Sequence, residues 1–140
     1  MNFLLDTNVV SEWTKPRPDA GVAQWLATVD EDRVYLSVVT LAELRFGVER
    51  MPAGVRRDRL DRWLSEELPG RFEQRIVVVT SELGDLWGKL MARGHSVGRP
   101  IGAMDALIAA TAVAHELTLV TRNIADFEAM DIPLVNPWTA

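Results

Sequence analysis

The sequence predicts the α/β class, with a parallel sheet covered by helices on both faces. Three observations carry this. Short apolar and β-branched runs recur at 2–5, 33–39, 76–79, 117–120 and 134–135. Segments with helical apolar spacing separate them, and strands that alternate with helices imply parallel pairing. The chain has 140 residues and is 48% hydrophobic, enough to bury a real core as one domain spanning 1–140.

Asn2–Leu5 is the first strand, ended by Asp6-Thr7-Asn8. Thr7–Trp13 reads as a short helix that stops near Pro16 and Pro18, which cannot continue one. Asp19 is placed to cap the next helix, where Val22, Trp25, Leu26 and Val29 follow at helical spacing. Arg33–Val39 is the second strand. Thr40 then opens a helix with Leu41, Leu44, Val48 and Met51 in one stripe. Pro52-Ala53-Gly54 marks a turn before a helix from Val55 to Leu68, closed by Pro69-Gly70. Ile76–Val79 is the plainest strand. Ser81–Arg93 is helical, and Gly94–Gly102 reads as a flexible loop that lets the next helix approach the sheet edge. An alanine-rich helix runs over Ala103–Glu116. Leu117–Val120 is a strand, Asp126-Phe127 a loop or turn, and Leu134-Val135 a last short strand.

The totals narrow the function. With no cysteine, disulfides, thiol catalysis and thiolate metal sites are excluded. Net charge is −5, which argues against broad electrostatic binding of nucleic acid, although distribution counts for more than the sum. Asp6 interrupts the first apolar run and no basic leader precedes it, so a signal peptide is not expected. No run is long enough to span a membrane, and a cytoplasmic location is expected.

Three acids share an unusual placement. Asp6 follows the first strand, Glu43 lies in the first turn of the helix after the second, and Asp105 lies in the first turn of the alanine-rich helix. In a parallel α/β sheet, strand C-termini and helix N-termini gather at one edge, where ligands bind. Each acid has a purely structural explanation. Thr40-Leu41-Ala42-Glu43 fits a capping box, Asp105 suits a helix dipole, and Asp6 suits an N-cap. Together they point elsewhere. Two carboxylates about 4 Å apart repel by about 4 kcal/mol at an effective dielectric near 20, so three need a cation or shared protons. Acids without histidine or cysteine favour Mg²⁺ or Mn²⁺ over zinc, and such ions activate water in phosphodiester cleavage. Thr7, Asn8, Thr121 and Asn123 are candidate supporting groups, and Asp126 a further carboxylate. Asn123 and Asp126 could equally shape a turn.

Asp6-Thr7-Asn8, Glu43 after Ser37-Val38-Val39-Thr40, Asp105 before Ile108-Ala109-Ala110-Thr111-Ala112, and Thr121-Arg122-Asn123 together resemble a PIN domain. Val135-Asn136-Pro137-Trp138 is similar to the end of the FitB-like branch of VapC toxins. The resemblance covers nearly the whole chain. It implies a three-layer α/β/α sandwich with about five parallel strands, a metal-dependent ribonuclease of a toxin–antitoxin system, a partner antitoxin, and a homodimer or dimer-based assembly. It assigns Asp6, Glu43 and Asp105 as the acidic core. The family often carries a fourth acid where this chain has Asn123, which leaves Asp126 as a substitute.

Other groups are weighed against plainer roles. Arg56, Arg57, Arg59 and Arg62 lie opposite an apolar stripe, where they could grip a phosphate backbone; the favoured reading is a solvated face paired with Asp58, Asp61 and Glu66. Arg45 and Arg122 lie near the acidic edge, to contact substrate phosphate or to tie down a carboxylate. His95 and His115 are isolated, and neither is a general base. The glycines form no phosphate-binding loop. Two rival functions remain. One is a non-catalytic RNA- or protein-binding module; the other is a phosphatase or phosphotransfer domain using Asp6, weakened by the absence of an acid at position 8.

Overall fold

The computed structural model describes residues 1–138. Five parallel strands are ordered β3-β2-β1-β4-β5: β1 Phe3–Leu5, β2 Val34–Ser37, β3 Ile76–Val77, β4 Thr118–Val120 and β5 Leu134–Val135. The order reverses at β1. The chain leaves β1 towards β2 and β3, then crosses to β4 on the other side. The crevice beyond the ends of β1 and β4 is therefore the topological switch point. Leu5 pairs with Val120 in the register, so Asp6 and Thr121 leave the sheet side by side.

Alternation along the strands builds two cores. Leu4, Tyr35, Leu119 and Leu134 face one side; Leu5, Val34, Leu36, Val120 and Val135 face the other. Helices α6 (Ser81–Ser96) and α7 (Ala103–Ala114) cover the first side, with Leu83, Leu107 and Ile108 buried there. Ala106, Ala109, Ala110 and Ala112 are all buried, and their small side chains let α7 lie close to the sheet. Helices α1 (Thr7–Glu12), α2 (Ala20–Thr28) and α3 (Val38–Glu49), with the α4 (Val55–Arg62) and α5 (Leu68–Arg71) segments, cover the other side through Val9, Val22, Val48, Leu64 and Leu68. Each fully buried leucine or valine stabilises the fold by about 1.5–3 kcal/mol. Two of the expected caps form as read: Asp19 accepts from the Val22 N–H at 3.1 Å, and Asp6 caps α1.

Several boundaries differ from the sequence reading. Helix α3 begins at Val38, not after Thr40, because the Ser37 hydroxyl accepts from the Val39 N–H at 3.0 Å and caps it. Val38 and Val39 look like strand residues but open a helix. The capping box at Thr40 therefore does not exist, and Glu43 sits in the second turn. The 55–71 segment passes through Pro69 without stopping. A π-turn over Trp63–Glu67, with the Leu68 N–H bonded to the Trp63 carbonyl, shifts the ladder just before the proline. Strand β3 covers only Ile76–Val77; it is an edge strand, and Val78 and Val79 are exposed beyond it. Helix α6 continues to Ser96. Asp126 and Phe127 belong to a short helix, α8 (Ile124–Phe127), followed by a 3₁₀ turn over Glu128–Met130.

Candidate active site

Asp6 is the N-cap of α1 at the switch point and is only 6% exposed. Its Oδ1 accepts from the Thr7 N–H at 2.8 Å. Its Oδ2 accepts from the Thr121 hydroxyl at 2.8 Å and from the Asn8 amide at 3.4 Å. Burial pushes the Asp6 pKa above the ordinary carboxylate value. The bonds from Thr121, Thr7 and Asn8 oppose the rise, and the Asp126 charge adds to it.

Thr121 is fully buried and works as a junction. Its hydroxyl donates to Asp6 and accepts from the Asn123 N–H at 3.0 Å and the Asn8 amide at 3.4 Å. The Asn8 carbonyl oxygen in turn accepts from the Arg122 N–H at 3.3 Å. The β1–β4 pairing thus extends beyond the strands as a network of polar side chains. Asn123 joins it through its backbone; its side chain makes no capping bond to α8.

Glu43 comes from α3 and accepts from the Thr7 hydroxyl at 2.8 Å. Asp105 comes from the first turn of α7, is half-buried, and has no hydrogen-bond or ion-pair partner among the described residues. Its pKa is raised by burial first, then by the charges of Asp6, Asp126 and Glu43. Asp126, exposed on α8, thus belongs electrostatically to the same group. Acids from four elements therefore sense one another across the switch crevice. Among the described residues no lysine or arginine is ion-paired with any of them.

The donor set is all oxygen, which fits a hard divalent cation. As the side chains stand, no three acids or histidines among the described residues form a group tight enough to hold a metal ion. The two findings are compatible, since Coulomb forces reach beyond ligation distance and like charges without a counterion spread apart. Small rotations of the Asp105 and Asp126 carboxylates, neither held by a hydrogen bond among the described residues, are what such binding would require.

Of the two arginines weighed at this edge, Arg45 is engaged elsewhere. It donates to Asp61 at 2.7 Å and to the Ser65 hydroxyl at 2.8 Å, tying α3 to the 55–71 segment. Arg122 is exposed and places its guanidinium over the Trp138 ring, 5.6 Å from the centroid. The arginines of α4 do not pair within their own helix as expected: Asp61 pairs with Arg45 and Arg57 with Glu49, both from α3.

One buried acid had no signal in the sequence. Glu12, 3% exposed, accepts from the Asp19 N–H at 2.9 Å and pairs with Lys15. Burial alone would raise its pKa, but the Asp19 and Lys15 contacts outweigh it and hold the group low. It clamps α1 to the start of α2, away from the switch point. Its burial arises from tertiary packing that no local pattern encodes.

The pattern of the PIN domain family matches residues 3–133. The VapC ribonuclease Y4jK of Sinorhizobium fredii is 40% identical over 136 residues, 97% of each chain. Toxin FitB of Neisseria gonorrhoeae is 37% identical over 97% of this chain and 98% of its own. The crystal structure of FitAcB from Neisseria gonorrhoeae shares the fold with a TM-score of 0.92 at 36% identity, covering 99% of both chains. The chain therefore belongs to the PIN domain family, as a relative of its VapC and FitB toxins.

Proposed function

We propose that this protein is a divalent-metal-dependent endoribonuclease, the toxin of a toxin–antitoxin pair. The observation that carries the reading is the convergence of Asp6, Glu43, Asp105 and Asp126 at the switch crevice with no cation paired to them. Relatives named ribonuclease and endonuclease support the activity, and the FitAcB and VapBC complexes among its structural relatives support an antitoxin partner.

Asp6, Asp105 and Glu43 are the residues to hold Mg²⁺ or Mn²⁺, with Asp126 in place of the acid absent at Asn123. When bound, the ion supplies positive charge at the scissile phosphate and acidifies an attacking water. The chain's own groups set the stage. Thr121 and Asn8 fix the Asp6 carboxylate from one side, and Thr7 holds Glu43 while its N–H holds Asp6. Such supporting contacts orient ligands and raise affinity by about 10–100-fold. An antitoxin arginine entering the acidic crevice would compete with the ion. No helix among the described residues is long and apolar enough to cross a membrane.

The test is cleavage of single-stranded RNA by the purified toxin with Mg²⁺ or Mn²⁺. Asp6→Asn and Asp105→Asn should each abolish metal-stimulated cleavage with the far-UV circular dichroism unchanged. Full activity in a clean Asp6→Asn preparation would refute the assignment.

A further inference from the structure

The acidic crevice opens on one side into a cleft of about 320 Å³ between the end of α6, the 97–102 loop and α8. Asp105 and Asp126 form one wall; Arg93 and Arg99 line the same cleft. Its volume lies at the small end of the range for ligand sites, about 300–1,000 Å³, which suits one nucleotide.

Among the described residues, neither arginine is ion-paired or hydrogen-bonded through its side chain. Arg93 in the last turn of α6 also suits the helix dipole. That plain role explains Arg93 alone. It does not explain Arg99, which the backbone holds in place. The Arg99 N–H donates to the Gly94 carbonyl at 2.8 Å, and a Cβ on Gly94 would lie 2.9 Å from the Arg99 carbonyl oxygen. Gly98, at φ 70°, makes the left-handed reversal between them. The segment expected to be a flexible connection is instead pinned against α6, and Arg99 is among the residues that line the cleft.

A polyanion approaching four carboxylates meets repulsion, and a chain of net charge −5 offers no general attraction. Local cations must offset this beside the acids. We propose that Arg93 and Arg99 form a subsite for the RNA phosphate next to the scissile one, facing the acids across a shared cleft. Each guanidinium presents a fork matched to phosphate oxygens. The apolar floor, including Val97, Ile101 and Met130, takes the sugar and base edge without reading sequence. This subsite rests on the ribonuclease reading, but its test does not depend on cleavage.

The probe is a fluorescent single-stranded RNA 12-mer of mixed sequence, bound to the full chain carrying Asp6→Asn, from 50 to 200 mM KCl. Adding Arg93→Gln or Arg99→Gln should each weaken binding about ten-fold and lower the slope of log Kd against log salt by about 0.7, the value for one phosphate contact on a single strand. Arg17→Gln, an exposed arginine far along the chain in the α1–α2 connection, should change neither. Both target side chains are exposed, so the fold should persist, and calorimetric Mn²⁺ binding to the corresponding single variants should match wild type. Unchanged RNA affinity and slope in both variants would overturn the subsite, as would an equal loss with Arg17→Gln. If the arginine variants lose RNA while wild type shows no metal-stimulated cleavage, the nuclease reading falls and the subsite stands.

Discussion

Asp105→Asn should stabilise the metal-free protein while removing its activity. The carboxylate is half-buried, accepts no hydrogen bond and has no ion pair among the described residues, while Asp6, Asp126 and Glu43 repel it. Two unit charges about 4 Å apart at an effective dielectric of 20 interact by about 4 kcal/mol. No three of these acids stand close enough to hold an ion, and the carboxyl meets solvent, so screening leaves about 1 kcal/mol. For a chain of this size that is a rise in Tm of about 3 °C. The sign follows from linkage. The folded pKa lies above the unfolded value, so the native state holds the proton more tightly. Stability is therefore lost as pH rises through the interval from the ordinary value of 3.8 to the folded one. The advantage of Asn is full above that interval and closes as pH falls through it. Saturating cation reverses the order, because an ion at 100 times its Kd adds about 2.7 kcal/mol to the protein that binds it and little to the variant. Thermal melts at pH 7 in low salt, with and without MnCl₂, read both effects. A variant less stable than wild type without metal, or equal stabilisation of both by Mn²⁺, would refute the electrostatic argument.

Two further outcomes concern neighbouring side chains. Thr121→Val keeps the shape but removes the hydroxyl that donates to Asp6 at 2.8 Å; Mn²⁺ affinity by calorimetry should fall about ten-fold and require higher pH to recover, and unchanged affinity would remove Thr121 from the site. Glu12→Gln should cost about 1–3 kcal/mol in urea unfolding at pH 7, since Gln keeps a weaker contact to Asp19 and loses the Lys15 pair. Because the Glu12 pKa is held low, its contribution is present above the ordinary value of 4.5 and is lost as pH falls through the folded one. A constant difference between pH 7 and pH 3 would show that the charge is not the cause.

The alternation of strands and helices was legible because each strand is a short apolar run closed by polar residues. Phe3–Leu5 before Asp6 and Thr118–Val120 before Thr121 are the clearest cases. Their adjacency was not legible locally. It follows from the reversal of strand order at β1, which sets Asp6 beside Thr121. Asp105 was placed correctly in a first turn, whereas Glu43 was placed one turn too early. The cause is specific: Ser37 caps the helix ahead of two valines whose side chains favour strands. Pro69 misled for a similar reason, since a π-turn one residue earlier removes the bond that proline would break. Arg93 and Arg99 carried no sequence signal, because the contact between Gly94 and Arg99 that orients the loop exists only once α6 runs through Gly94 to Ser96.

The convergence of the acids on one hard ion is tested most directly by soaking crystals with Mn²⁺ and recording anomalous diffraction. Convergence requires a peak in the switch crevice, with oxygens of Asp6 and Asp105 bound to it and Glu43 or Asp126 completing the protein's share. A crevice that stays without a peak at saturating Mn²⁺ would overturn it.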